Sequence, residues 1–200
     1  MPALTAPPNA QLRQTVKWVA LLNLAYFSVE FAVARKIGSV SLFADSVDFL
    51  EDASVNLLIL LALGWTARAR ARVGMLLAVP LLVPAFATLA TAWTKFTHPA
   101  APNPLSLSVT GLGALGINLS CAFMLARHRH HRGSLTQAAF LSARNDAIAN
   151  LAIIAAGLVT ALLWHSVWPD LVVGLAIALL NADAAREVWT AARAEHKANA

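Results

Sequence analysis

Residues 44–52 read Ala44-Asp-Ser-Val-Asp-Phe-Leu-Glu-Asp52, and Ala53-Ser-Val-Asn-Leu-Leu-Ile-Leu-Leu-Ala-Leu-Gly-Trp65 comes directly after them. Asp45, Asp48, Glu51 and Asp52 fall within eight residues, in a 200-residue chain that has only ten Asp and Glu. On a helix turning about 100° per residue, Ser41, Asp45, Asp48, Asp52 and Asn56 share one stripe, with Glu51 about 60° beyond its edge. Neither Gly nor Pro interrupts the stretch from Ser39 to Leu63, so the pattern predicts one helix carrying acids on a single side. An acid at the centre of a lone transmembrane helix costs about 2.5–3.5 kcal/mol, and several would cancel the gain from the neighbouring Leu, Ile and Val. The stretch can cross a membrane if its acids face a bundle interior or a water-filled cavity. It reads instead as a loop before a short helix if it stands alone. The unbroken helical pattern favours the span.

The rest of the chain has the composition of a bilayer protein. It is 58% hydrophobic and 12% charged, against about 25% charge in soluble domains. The pattern predicts six spans near the roughly 20 residues that cross a bilayer, at about 16–34, 39–65, 73–96, 105–126, 138–164 and 168–186. The fold class expected is therefore an all-α membrane protein, a bundle of six transmembrane helices. The expected division is a flexible N-terminal tail over 1–14, a transporter domain over 15–190 and a short cytoplasmic tail over 191–200. The first residues, Met-Pro-Ala-Leu-Thr-Ala-Pro-Pro, lack the basic and apolar regions of a signal peptide. The segment after Arg186 is too short to build a soluble core.

Loop charges set the orientation. Arg13, Lys17, Arg68, Arg70, Arg72, Arg127, Arg129, Arg132, Arg186, Arg193 and Lys197 flank one side, against Arg35, Lys36 and Lys95 on the other. This asymmetry places both termini in the cytoplasm, and the Trp residues near span ends act as interfacial anchors. The net charge of +5 is dispersed over these loops, which is topogenic use rather than a nucleic-acid patch, and no nucleic-acid partner is expected. The one cysteine, Cys121, lies in an apolar run and offers neither a disulfide nor a thiolate metal site.

Asp48 and Asp52, spaced i, i+4, project from one side of the helix and can reach one cation. The complementary half should come from the fifth span, where Ser142 and Asp146 are also i, i+4, flanked by Asn145 and Asn150. Three Asp plus hydroxyl or amide oxygens make an oxygen-rich site suited to harder divalent ions such as Mn²⁺. Three bare carboxylates around one dication would leave net negative charge in a low-dielectric place. One group should then hold a proton when the metal is absent, which couples metal binding to proton release. Asn118 in the fourth span reads first as an interhelical hydrogen bond. Asn23, Tyr26 and Glu30 share a face of the first span, and Glu30 lies either inside the bundle or near its wet outer end.

Several stretches resemble the cation diffusion facilitator family. They are Asn23-Leu-Ala-Tyr-Phe-Ser-Val-Glu30, Gly38-Ser-Val-Ser-Leu-Phe-Ala-Asp-Ser-Val-Asp-Phe-Leu-Glu-Asp52, Ala138-Ala-Phe-Leu-Ser-Ala-Arg-Asn-Asp146 and Trp168-Pro-Asp170. The resemblance implies a metal site on Asp48, Asp52 and Asp146, with Ser142 where the family usually has His. It implies export of a divalent metal (Mn, Fe, Co or Zn) from the cytoplasm in exchange for protons, by alternating access. The implied partners are the metal, protons and the lipid bilayer, with no permanently bound cofactor, and the implied setting is a bacterial inner membrane. Asp45, Asn145, Asn150, Asn118 and Glu30 would stand behind the ligands or along the pathway. The His-rich loop Arg127-His-Arg-His-His-Arg132 resembles many members, and His128, His130 and His131 would capture metal there, although a plain solvated loop fits equally. Ser142 removes a ligand that titrates near neutrality. The family's cytoplasmic C-terminal domain is not expected after Arg186, so any homodimer would form through the spans.

Two other classes compete. A six-span phosphatidyltransferase-type enzyme would need a longer Asp-rich block than the one after Asp48, so no enzyme is expected. A transport-inactive or regulatory membrane partner would carry Ser142 as the mark of a degenerate site.

Overall fold

A computed structural model of the chain describes residues 8–62, 85–126 and 133–181, with side chains over 11–60, 85–126 and 145–181. Six helices lie among the described residues: α1 (Pro8–Ile37), α2 (Val40–Ala62), α3 (85–97), α4 (Pro104–Ala126), α5 (Gly133–Leu162) and α6 (Trp168–Asn181). The acidic stretch is helical throughout, as the uninterrupted pattern predicted, and the loop reading of it falls. The helix α1 begins at Pro8, well before the span expected from Val16 and inside the tail expected to end at residue 14. The first half of the third span, with Pro80 and Pro84, and the chain after Asn181 lie outside the described residues.

Local chemistry fixes the helix ends. Gly38 adopts φ +63°, and the Ser39 N–H closes back on the Ala34 carbonyl at 3.1 Å. That is the left-handed stop and 6→1 bond of a Schellman motif, open to Gly at little steric cost. Ser39 then caps the next helix, its Oγ accepting from the Leu42 N–H at 3.1 Å. At α4 the cap is Asn103, whose Oδ1 accepts from the Ser106 N–H at 2.9 Å, with Pro104 in the first helical position.

The distribution of polarity is inverted relative to a soluble protein. Large apolar side chains such as Trp93, Phe123 and Leu163 stand 72%, 72% and 81% exposed, whereas Asn23, Glu30, Asp45, Asn150 and Asp170 are completely buried. In water so much exposed apolar surface would drive association. Around a membrane bundle it is the lipid face, and the polar groups turn inward. Among the described residues, three helical segments are long and apolar enough to cross a membrane: Gln11–Ile37, Pro104–Ala126 and Asn145–Leu162.

Packing brings α1 against α2 and α4, and α5 against α4 and α2. Phe31 meets Phe43 edge-on at 5.4 Å, and Tyr26 meets Phe49 at 5.1 Å, which zips α1 to α2. Tyr26 reaches across to α4, where its hydroxyl donates to the Thr110 carbonyl at 2.6 Å over the notch left by Gly113. Of the glycines in α4, Gly111 lets α5 approach closely at Ile153 and Ile154, and Gly113 lets Tyr26 do so. Gly116 faces open space.

The start of α6 is bound to the start of α2. The Asp170 carboxylate accepts from Ser39 Oγ (2.6 Å), Ser41 Oγ (2.6 Å), the Val40 N–H (2.8 Å) and the Ser41 N–H (3.2 Å). An anion thus sits on the positive end of the α2 dipole and satisfies two of its free amides. A side chain at Gly174 would place its first carbon 2.6 Å from the backbone of Val40 and Ser41, so the two helices touch backbone to backbone. Lys95 of α3 packs on Gly38 and donates its Nζ to the Ala100 carbonyl. This corner joins α2, α3 and α6 at one end of the bundle. A cavity lies between α2, α5 and α6.

Candidate metal centre

The cavity has a volume of about 640 Å³. Its polar lining consists of Asp48, Glu51 and Asp52 from α2, Asn145 and Asp146 from α5, and Asn181 from α6. Its apolar walls come from α5 and α6, among them Ile148, Ala152, Val173 and Ile177. Two helices that meet only over a short stretch therefore contribute four carboxylates to one space.

Helical spacing explains the α2 half. Asp48 and Asp52 are one turn apart and enter the cavity together, as the i, i+4 reading expected. The lining face is wider than the stripe: Glu51, expected about 60° beyond its edge, lines the cavity as well. The amides behind the acids bond to their own helices. Asn56 Nδ2 donates to the Asp52 carbonyl at 2.8 Å, and Asn150 Nδ2 to the Asp146 carbonyl at 2.7 Å. Neither side chain is thereby committed to a carboxylate, and each leaves a buried Oδ1 without a donor.

The charges in the cavity act on one another. Asp48 lies within the field of Asp146, and Asp146 within that of Asp52 and Glu51. Among the described side chains no Lys or Arg pairs with Asp48, Glu51 or Asp146. Clustered carboxylates of this kind need protons or a cation to offset them. They do not yet enclose an ion: among the described residues no three His, Cys, Asp or Glu side chains converge closely enough to hold one. An ion entering this space would keep part of its water shell, or α2 and α5 would draw together around it.

The other expected residues are scattered through the bundle. Ser142 lies in α5, one turn before Asp146, but its side chain is outside the described ones, as is that of Arg144. The loop with His128, His130 and His131 also lies outside the described residues. Asn118 is buried in α4 and Asn150 in α5, and neither lines the cavity. Glu30, left open between bundle and water, is fully buried, as is Asp45, and both are off the cavity. Cys121, read as a residue of an apolar run, sits on the α1–α4 seam with its sulfur 3.8 Å from Asn23 Nδ2.

One lining residue escaped the sequence reading. Asn181 ends the described part of α6, and its Nδ2 is buried without a partner. A signal was available. Asn181 is polar after the run Leu171–Leu180, and four-residue steps back from it reach Ile177 and Val173, which line the same cavity.

The family model of the cation efflux transmembrane domain matches residues 16–193. No curated protein is similar enough to match the chain. The matched region reaches into all six helices and includes every residue lining the acidic cavity. Its members are transporters of metal cations rather than enzymes, which accords with buried acids in a bundle whose exterior is apolar. The chain therefore belongs to the cation efflux family and is a multi-pass membrane protein.

Proposed function

We propose that the protein exports a divalent transition-metal ion from the cytoplasm in exchange for protons, by alternating access of the cavity between α2, α5 and α6. The observation that carries this reading is the convergence of Asp48, Glu51, Asp52 and Asp146, from two helices, on one cavity inside an apolar bundle. Asp48, Asp52 and Asp146 are the ligands of this reading, and the Ser142 hydroxyl, or the Asn145 or Asn181 amide oxygens, complete the shell. An all-oxygen set suits Mn²⁺, Fe²⁺ and Co²⁺, and takes Zn²⁺ less selectively than imidazole would. Carboxylates must shed protons to take the metal, so binding itself drives the exchange.

The excess of Lys and Arg around the α2–α3, α4–α5 and terminal segments supports both termini on the cytoplasmic side, with 15–190 as one transporter domain between short tails. A helical bundle, rather than a barrel, fits an inner membrane in a bacterial setting.

Reconstituted protein tests the reading directly. Vesicles preloaded with a pH dye should show metal-dependent proton flux with at least one of Mn²⁺, Fe²⁺, Co²⁺ and Zn²⁺, and Asp48→Ala and Asp146→Ala should each abolish it while folding normally. Normal flux in both variants refutes the ligand assignment. A wild type that moves none of the metals assigns the chain as a transport-inactive membrane partner instead.

A further inference from the structure

Glu30 on α1 and Asp45 on α2 stand apart from the acidic cavity, and neither lines it. Both are fully buried. No N–H or O–H of the unprotonated protein donates to any of their four carboxyl oxygens. The two carboxyls lie within hydrogen-bonding reach of each other across the α1–α2 seam.

The surroundings offer no other remedy. Tyr26, one turn before Glu30, has its hydroxyl committed to the Thr110 carbonyl of α4. Asp48 on α2 and Asp146 on α5 contribute only further negative charge. No described Lys, Arg or His forms an ion pair with either residue. The seam is held by the Phe31–Phe43 and Tyr26–Phe49 ring contacts on either side, so the two carboxyls remain opposite each other. Two bare carboxylates side by side in a dry interior, with neither donor nor cation, would cost more than a marginally stable protein can sustain. One proton between them removes a charge and supplies the missing donor in a single step.

We infer that Glu30 and Asp45 form a second ion-binding site of this protein, one that takes a proton rather than a metal. The Glu30 carboxylic acid donates to Asp45 while the cavity is empty. When a dication enters the cavity, the field from the direction of Asp48 becomes less negative. The Glu30 O–H bond then breaks and its proton passes to water, in addition to those that the cavity carboxylates shed. The release step rests on the metal reading of the cavity; the shared proton in the metal-free protein does not.

Infrared spectroscopy of the metal-free full-length protein separates the two. The wild type should show carbonyl stretches of buried carboxylic acids that shift in D₂O, from this pair and from the cavity acids, and Glu30→Gln should lose one component of that band, since Gln Nε2 replaces the O–H as donor to Asp45. In a weakly buffered Mn²⁺ titration, Glu30→Gln and Asp45→Asn should each release one proton fewer per ion bound than the wild type. Neither residue lines the cavity, so Mn²⁺ affinity should stay within a few-fold. A band that persists unchanged in Glu30→Gln, or equal proton release from the wild type and Asp45→Asn, overturns the assignment. If the wild type binds no Mn²⁺, the cavity reading fails, and the infrared band alone decides the pair.

Discussion

Replacing Asp170 by Ala should be among the most damaging single changes in the protein, although the residue does not line the acidic cavity. Its carboxylate accepts from two hydroxyls and two backbone amides, all on completely buried residues. The hydroxyls of Ser39 and Ser41, already 3.3 Å apart, can turn to each other once it is gone. The Val40 and Ser41 N–H groups cannot, because no residue precedes them in helical register. Each stranded buried donor costs about 1–3 kcal/mol, and loss of an anion at a helix N-terminus adds about 0.3–2 kcal/mol. The total for Asp170→Ala is about 4 kcal/mol. Asp170→Asn keeps one acceptor oxygen but turns an amide toward the remaining N–H, and should cost about half as much. Equilibrium unfolding in mixed micelles measures both. The order Ala worse than Asn, with Ser41→Ala alone near about 1 kcal/mol, is expected because the remaining three donors still hold the carboxylate. A change within about 0.5 kcal/mol for Asp170→Ala would refute the idea that this corner fixes α6 on α2.

The same geometry sets three other outcomes. Gly174→Val should push α6 off α2 and destabilise by about 1–3 kcal/mol, read by the same unfolding assay, because its added carbon meets backbone that cannot turn aside. Gly113→Ala should cost about 1 kcal/mol, because the added methyl displaces the Tyr26 hydroxyl from Thr110, and part of that cost should vanish in a Tyr26→Phe background. Mn²⁺ affinity should rise with pH: the cavity carboxylates must lose protons to bind, so protons compete, and titrations at about pH 6 and about pH 8 give the sign.

Much of the fold was legible in the sequence because a bilayer admits few solutions. Apolar runs near the thickness of a membrane had to be helices, and an acid stripe without Gly or Pro had to point inward. The α2 side of the cavity was legible for the same reason, since i, i+4 spacing puts Asp48 and Asp52 together whatever surrounds them. The width of the lining face was not. Glu51 enters the cavity because the space reaches beyond the α2–α5 contact to α6, and no single-helix projection carries the position of a third helix. Asn181 was missed for that reason too. The Pro-Asp step at 169–170 was visible as a resemblance, but its role as a cap on α2 depends on contact between residues 130 positions apart. Glu30 could be assigned to a face but not to a depth, because the sequence shows the face Glu30 shares with Asn23 and Tyr26 and not the neighbour it meets.

The central claim is that acids from α2 and α5 hold one dication between them. Equilibrium Mn²⁺ binding to the purified protein, followed by the loss of the free-ion electron spin resonance signal, tests it most directly. The account predicts one ion per chain, a loss of at least about tenfold in affinity for Asp48→Ala and for Asp146→Ala, and a double variant little worse than either single one, since the two residues serve one site. Single variants that bind like the wild type, or losses that simply add in the double variant, would contradict it.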